Sequence, residues 1–154
     1  MMKRHYCCEL TSLSQLIPQP SGHVRWLDLP EDFAMLQANY LLRAQETRDK
    51  KFSEFARNMT PADFPGEQWK FCAWLEDGEI LAKAGVLYMT DRNWEIAAVW
   101  THPRHRGRGY AKAVCAFAAR YILENGKRAT CGTEKKNTAM RRVMQGIGMT
   151  EQKR

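Results

Sequence analysis

Residues 103–109 read Pro-Arg-His-Arg-Gly-Arg-Gly, and arginine and glycine alternate over the last four of them. Glycine adopts positive φ without steric cost, so successive backbone N–H groups can point at one spot. Arginine adds positive charge and bidentate hydrogen bonding to oxyanions. We refer to residues 103–109 as the cradle loop, and we predict that it binds a phosphate or pyrophosphate.

The flanking residues predict a strand before this loop and a helix after it. The run 94–101 is apolar and β-favouring, and it stops at Pro103, which cannot donate a ladder hydrogen bond. After the loop, apolar residues recur at helical spacing from Tyr110 to Tyr121. The first amides of such a helix have no intrahelical partner and carry the positive end of its dipole, which also favours an anion.

The rest of the chain predicts helices, then antiparallel strands, then a βαβ unit. Strands are expected at 5–10 and 23–27. A helix is expected from a capping box at Asp28 to about Gln45, and a second around 52–59. The runs 69–75 and 80–89 flank Asp77-Gly78, a hairpin signal. A strand at 129–133, parallel to 95–101, a helix begun at Asn137 and a short strand at 149–152 complete an α/β domain.

The cradle loop resembles the cofactor loop of the GNAT (GCN5-related) N-acetyltransferases, which reads Arg or Gln, two residues, Gly, one residue, Gly or Ala. Residues 106–111 match it, and residues 104–109 fit in a second register. The first register is preferred because the family usually places this Arg three residues after a Pro, as Arg106 follows Pro103. The stretch 94–149 is most similar to the branch with a glycine N-acyltransferase-like C-terminal half.

This resemblance implies a single GNAT-like domain over residues 1–154. Its fold would be α/β, with a mixed, mostly antiparallel central sheet flanked by helices and a C-terminal βαβ cofactor-binding unit. The implied co-substrate is acetyl-CoA, and the implied activity is acetyl transfer to a primary amine, with no metal. The residues implied in cofactor binding are Val99, Trp100, Thr101, Arg106, Gly107, Arg108, Gly109, Tyr110, Ala111, Lys112, Asn137 and Met144.

Glu95 is the candidate general base. A lysine-like amine is protonated at pH 7 and must lose a proton before it attacks a thioester. Strand alternation places Glu95, Ala97, Val99 and Thr101 on one face. In GNAT lysine acetyltransferases a base Glu lies eleven residues before the loop's Arg or Gln, the spacing of Glu95 and Arg106. A structural, surface-facing Glu is the alternative.

The usual general acid of the family is absent from its expected position. Many members carry a tyrosine on the last helix, where this chain has Met144, and a thioether cannot donate a proton. A nearby Tyr, water or Cys131 could replace it, or coenzyme A could leave as thiolate. This absence supports the alternative of a non-catalytic CoA-binding regulatory domain.

Composition and charge limit the locations, metal sites and binding partners to be expected for the chain. The chain of 154 residues has no apolar run near the length of a membrane span and no apolar N-terminal signal segment, so a cytoplasmic location is expected. Its five cysteines form no Cys-x-x-Cys pair, which argues against a metal site. Residues 104–154 hold thirteen Lys and Arg against three Asp and Glu, a balance that suits a polyanion such as coenzyme A.

Nucleic acid would also suit this charge but is not expected, because the basic residues cluster at one turn rather than along an aromatic platform. A Rossmann domain is disfavoured since no second βαβ unit follows and the matching acid is missing. A homodimer is expected from the family alone.

Overall fold

The apolar runs of the sequence form strands of one sheet in the computed structural model, which describes residues 5–152. In this part of the chain the strands are β1 (His5–Leu10), β2 (Val24–Trp26), β3 (Trp69–Glu76), β4 (Glu79–Tyr88), β5 (Asn93–Thr101), β6 (Arg128–Glu134) and β7 (Thr150–Glu151). The α-helices are α1 (Phe33–Thr47), α2 (Lys50–Asn58), α3 (Tyr110–Glu124) and α4 (Thr138–Gly146). The predicted α/β fold with a mixed sheet is confirmed, whereas the predicted domain bounds of 1–154 extend past the described residues at both ends.

The sheet order is β2-β3-β4-β5-β6-β1-β7. Only β5 and β6 pair in parallel, and all the other paired strands that the structure describes are antiparallel. The β3–β4 hairpin turns at Asp77 and Gly78, which both have positive φ, as the Asp-Gly pair predicts. Strand β1 lies between β6 and β7, so the two ends of the described chain meet in one part of the sheet.

The predicted start of α1 at Asp28 is wrong. The helix begins at Phe33, because Asp32 organises the preceding turn instead: its carboxylate accepts a hydrogen bond from the Asp28 backbone N–H at 2.7 Å. The same carboxylate pairs with Arg25 on β2 at 2.8 Å. The acid-to-Glu spacing is therefore present in the sequence but is not used as a capping box.

Helices cover the sheet on both faces and enclose two cores. One face packs on α3 and α4, and its buried helix residues are largely small, among them Ala113, Ala116, Ala118 and Ala119. The other face packs on α1 and α2 through Leu36, Tyr40, Ala44 and Ala56. We call these the α3 face and the α1 face.

Strand β5 carries a bulge that matters for the site. Lys83 on β4 pairs with Trp100 and Gly85 pairs with Ala97, so one residue of β4 opposes both Ala98 and Val99. Ala98 takes φ +55°, in the left-handed region that residues with a side chain rarely adopt. The bulge reverses the side-chain alternation along β5.

Candidate active site

A cleft opens where β5 and β6 separate. The two strands pair only from Asn93 to Glu95 on β5 and from Arg128 to Thr130 on β6. Beyond these residues the strands diverge, and the N-terminal parts of α3 and α4 meet at the gap. The cleft has a volume of about 430 Å³, and it is lined by Val99, Trp100, Thr101, His105, Arg106, Gly107, Gly109, Tyr110, Ala111, Lys112, Asn137, Ala139, Met140, Arg142 and Val143.

The cradle loop forms one wall of this cleft. It starts with a 3₁₀ turn at Pro103–His105, and then Gly107 and Gly109 adopt φ +79° and +86°. Gly109 lies directly before α3, and the first helical hydrogen bond runs from the Ala113 N–H to its carbonyl at 3.1 Å. The amides of the first turn of α3 therefore have no partner within the helix. An oxyanion fits this position because those N–H groups and the helix dipole act in the same direction.

Arg106 lines the cleft but is held by protein groups. Its Nη2 lies 2.6 Å from the Glu46 carboxylate on α1, and its Nε donates to the Thr101 carbonyl at 3.1 Å. The same Glu46 oxygen accepts from the Trp100 indole N–H at 3.0 Å. The bond from Arg106 holds the pKa of Glu46 below its usual value. Arg106 thus ties the cradle loop to β5 and α1, and part of its charge is neutralised by Glu46.

The predicted common face for Glu95, Ala97, Val99 and Thr101 is wrong past the bulge. Glu95 and Ala97 pair with Leu87 and Gly85, and so lie on the α1 face. Thr101 pairs with Ala82 and Val99 packs against the α3-face core, so both lie on the opposite face. The extra residue at the bulge shifts the period-2 pattern by one position.

Glu95 lies at the apex of the gap, as the last residue of β5 that pairs with β6. It is half-buried and is not one of the residues that line the cleft. Partial burial raises the pKa of its carboxyl group. Within residues 5–152 the carboxylate has no hydrogen bond or ion pair that would oppose this rise.

The structure brings ten of the twelve predicted cofactor residues to the cleft and leaves two out. Arg108 is exposed in the loop and is not among the residues that line the cleft. Met144 is fully buried in the α3-face core, so its expected place at the cofactor is not seen. Asn137 lines the cleft, but its side chain caps α4 by accepting from the Met140 N–H and also donates to Thr133, both at 3.1 Å.

Cys131 is a poor substitute for the missing acid. It is 4% exposed, and burial raises the pKa of its thiol to about 12. Its side chain belongs to the α3-face core rather than to the cleft lining.

Sequence reasoning missed the contribution of α4 to the cleft, namely Ala139, Met140, Arg142 and Val143. Arg142, close in sequence to Asn137 and strongly basic beside a predicted anion site, was a usable signal. His105, a residue of the cradle loop, also lines the cleft. Its Nδ1 is buried without a hydrogen-bond partner among residues 5–152.

Among the described residues there is no group of three or more His, Cys, Asp or Glu placed to hold a metal ion. A search of the helices in the same part of the chain found none with the length and apolar character needed to span a membrane.

Solved structures share the fold at low sequence identity. An acetyltransferase assigned to the GNAT family from Novosphingobium aromaticivorans superposes with a TM-score of 0.67 at 16% identity, covering 97% of this chain and 61% of that one. A probable acetyltransferase gives a TM-score of 0.72 at 16% identity, with 84% and 91% covered. The aminoglycoside N-acetyltransferase AAC(6′)-Iy, solved in complex with CoA, gives 0.58 at 19%, with 85% and 93% covered.

This chain spans 53% to 61% of the length of the first three structures that it matches. No curated protein matched the sequence.

A family model described as the acetyltransferase (GNAT) family matches residues 35–149, which include the bulged strand, the cradle loop and both helices at the cleft. Since this match covers most of the sequence, the chain belongs to the GNAT family of acetyltransferases.

Proposed function

We propose that this protein transfers an acetyl group from acetyl-CoA to a primary amine, with Glu95 as the general base. The observation that carries the proposal is the cleft between β5 and β6, which is lined by ten residues that the sequence had associated with the cofactor. The glycine N-acyltransferase-like branch, a homodimer and a cytoplasmic location stay predictions of the sequence.

The cleft suits coenzyme A by its chemistry. The amides at the start of α3 favour a pyrophosphate, and the cationic side chains of Lys112 and Arg142 line the same cavity. The backbone of residues 99–101 faces the gap without a β6 partner and can hydrogen-bond to the pantetheine arm. Gly107 and Gly109 supply the loop backbone, and Tyr110 and Ala111 supply the first turn of α3. Arg108 adds the outer charge, and Asn137 is the N-cap of α4.

When bound, acetyl-CoA supplies an activated acetyl thioester. Glu95, at the apex of the gap, takes the proton from the amine nitrogen directly or through water. A raised carboxyl pKa makes the carboxylate a stronger base than an exposed Glu, and the absence of an ion pair in residues 5–152 leaves it free to accept the proton. A backbone N–H of residues 99–101 stabilises the negative charge that develops on the carbonyl oxygen as the amine attacks. The new C–N bond forms, the C–S bond of the thioester breaks, and coenzyme A leaves as a thiolate, which needs no general acid because a thiol ionises at about pH 8.5.

The test is transfer of labelled acetyl from acetyl-CoA to a panel of amino acids, polyamines, aminoglycosides and peptides. We expect one amine class to be labelled and Glu95→Gln to lower kcat/KM by at least about 100-fold. The matched control is Glu79→Gln on the exposed start of β4, which should keep full activity. In the wild type, kcat/KM should rise with pH through an apparent pKa above that of an exposed Glu, and Glu95→Gln should lose this rise.

Two results would count against the proposal. Saturable CoA binding without transfer to any amine would favour the non-catalytic regulatory domain. Full activity of Glu95→Gln would place the base elsewhere.

A further inference from the structure

Lys83 is a charged residue in the middle of an apolar strand. It lies on β4 between Ala82 and Ala84, and its side chain is 0% exposed. Removing an ammonium group from water costs free energy unless other groups replace the lost hydration. The contacts of Lys83 should therefore show which structural role accounts for its burial.

Only uncharged groups and one like charge surround the ammonium. Its Nζ donates to the Ala98 carbonyl at 2.9 Å and lies 4.6 Å from the centroid of the Tyr40 ring. Within residues 5–152 no carboxylate lies within ion-pair distance of it. Arg43 on α1 adds a positive charge, and burial together with this charge lowers the pKa of Lys83 to about 7. The bond to Ala98 is therefore the only hydrogen bond that the Lys83 side chain makes within residues 5–152.

The Ala98 carbonyl belongs to the bulge on β5. The two residues of a bulge share one opposing residue, so the ladder is interrupted there and part of the backbone needs other partners. Lys83 supplies such a partner for Ala98, whose φ of +55° is unfavourable for a residue with a Cβ. The next residues along the strand, Val99 to Thr101, line the cleft.

We infer that Lys83 is a positioning residue for the proposed acetyl transfer: it holds the Ala98 carbonyl and thereby fixes the bulge that turns the backbone of residues 99–101 toward the cleft. The inference rests on the proposed function. Because its side chain is fully buried, Lys83 acts through Ala98 and not on the reacting atoms. Glu46 and Arg106 hold Trp100 and Thr101 in the same segment from the cradle-loop side.

The test compares Lys83→Met, which removes the donor at similar size, with Lys83→Gln, which keeps an N–H donor. The matched control is Lys127→Met, since Lys127 also donates to a backbone carbonyl, that of Asp91, away from the cleft. Calorimetry measures the dissociation constants of acetyl-CoA and of adenosine 3′,5′-bisphosphate, which lacks the pantetheine arm. NMR records the backbone amide resonances of residues 98–101 and of α3.

We expect Lys83→Met to weaken acetyl-CoA binding at least tenfold while the bisphosphate affinity changes less than twofold. Lys83→Gln should recover part of the loss, and Lys127→Met should resemble the wild type. The amide resonances of residues 98–101 should shift in Lys83→Met, and those at the start of α3 should not.

An equal loss for both ligands would show a general structural role and overturn the inference, as would unchanged amide resonances at residues 98–101. A wild type that binds acetyl-CoA but transfers to no amine would contradict the proposed function alone. If the wild type binds neither ligand, the proposed function fails, and the amide resonances still decide whether Lys83 holds the bulge.

Discussion

The fully buried side chains of the α3-face core are nearly all small or aliphatic, and most of its aromatic rings pack around them partly buried, whereas the α1-face core buries aromatic rings at its centre, one of them against a buried lysine. On the α3 face, alanines let the helix approach the sheet closely and bring its N-terminus to the cleft. On the α1 face, the Tyr40 and Phe64 ring centroids lie 5.8 Å apart, and Phe64 and Phe71 lie 5.1 Å apart. Gly85 makes room for this layer, because a Cβ there would lie 3.0 Å from the Phe71 ring.

The two faces also differ in their buried polar groups, because the α1 face carries polar side chains that its packing does not require. The α1 face also retains the buried amide of Asn39, whose side chain has no hydrogen-bond partner in the described part of the chain. Polar groups of this kind lower stability unless another requirement keeps them. The α3 face holds the N-terminus of α3 at the cleft by the packing of small side chains, and the α1 face carries Glu95 and Lys83 at a cost in stability.

The largest expected effect comes from removing an aromatic ring on the α1 face. Phe71 is 2% exposed, so Phe71→Ala should lower the free energy of unfolding by about 3–5 kcal/mol through lost burial and a cavity. Urea denaturation measures it, with Phe55→Ala, at a residue 39% exposed, as the weaker control. A decrease in the free energy of unfolding below about 1 kcal/mol would mean that the neighbouring rings move into the cavity left by Phe71.

A smaller effect is expected from enlarging a side chain on the α3 face. Ala118 is fully buried, so Ala118→Leu should lower the free energy of unfolding by about 1–3 kcal/mol because the helix must move outward. The CoA dissociation constant should rise several-fold, since the N-terminal amides of α3 move with the helix. Ala38→Leu on the exposed side of α1 is the control. Unchanged stability of Ala118→Leu would show that this core is loosely packed.

The smallest effect is a pH dependence of the free energy of unfolding, which is expected from the buried lysine of the α1 face. In the folded chain the pKa of Lys83 is about 7, whereas the ordinary value for a lysine is 10.5. Between pH 7 and pH 10.5 the unfolded chain therefore binds more protons than the folded chain. The free energy of unfolding should therefore rise with pH, by up to about 1.4 kcal/mol per unit, in the wild type relative to Lys83→Met. Denaturation at pH 7 and pH 8.5 measures the difference, and parallel behaviour of the two proteins would contradict it.

Local patterns were sufficient to predict the loop and the helix that form one wall of the cleft. The alternation of Arg and Gly, the helical spacing after Tyr110 and the Asp-Gly hairpin each depend on neighbours in sequence, so they could be recognised without knowledge of the fold. The loop, α3, the hairpin and the mixed sheet all agree with those expectations.

Features that depend on the exact register or on side-chain contacts between distant segments could not be predicted. The bulge at Ala98 is defined by its register with β4, and it reversed the expected orientation of Val99 and Thr101. The bond between Glu46 and Arg106 joins α1 to a loop far along the chain. A usable signal did exist for Lys83, since a lone lysine inside the apolar run 80–88 is expensive to bury and points to a specific partner.

The place of β1 in the sheet has a consequence for how the chain folds. Its residues pair with β6 and β7, which come from the opposite end of the described sequence. Loop-closure entropy must be lost before these contacts form, and contacts of long sequence separation slow folding. Of the described strands, β1 is made first and lacks its partner strands until β6 and β7 have been made, so the β6-β1-β7 side of the sheet is completed after the β2-β3-β4-β5 side.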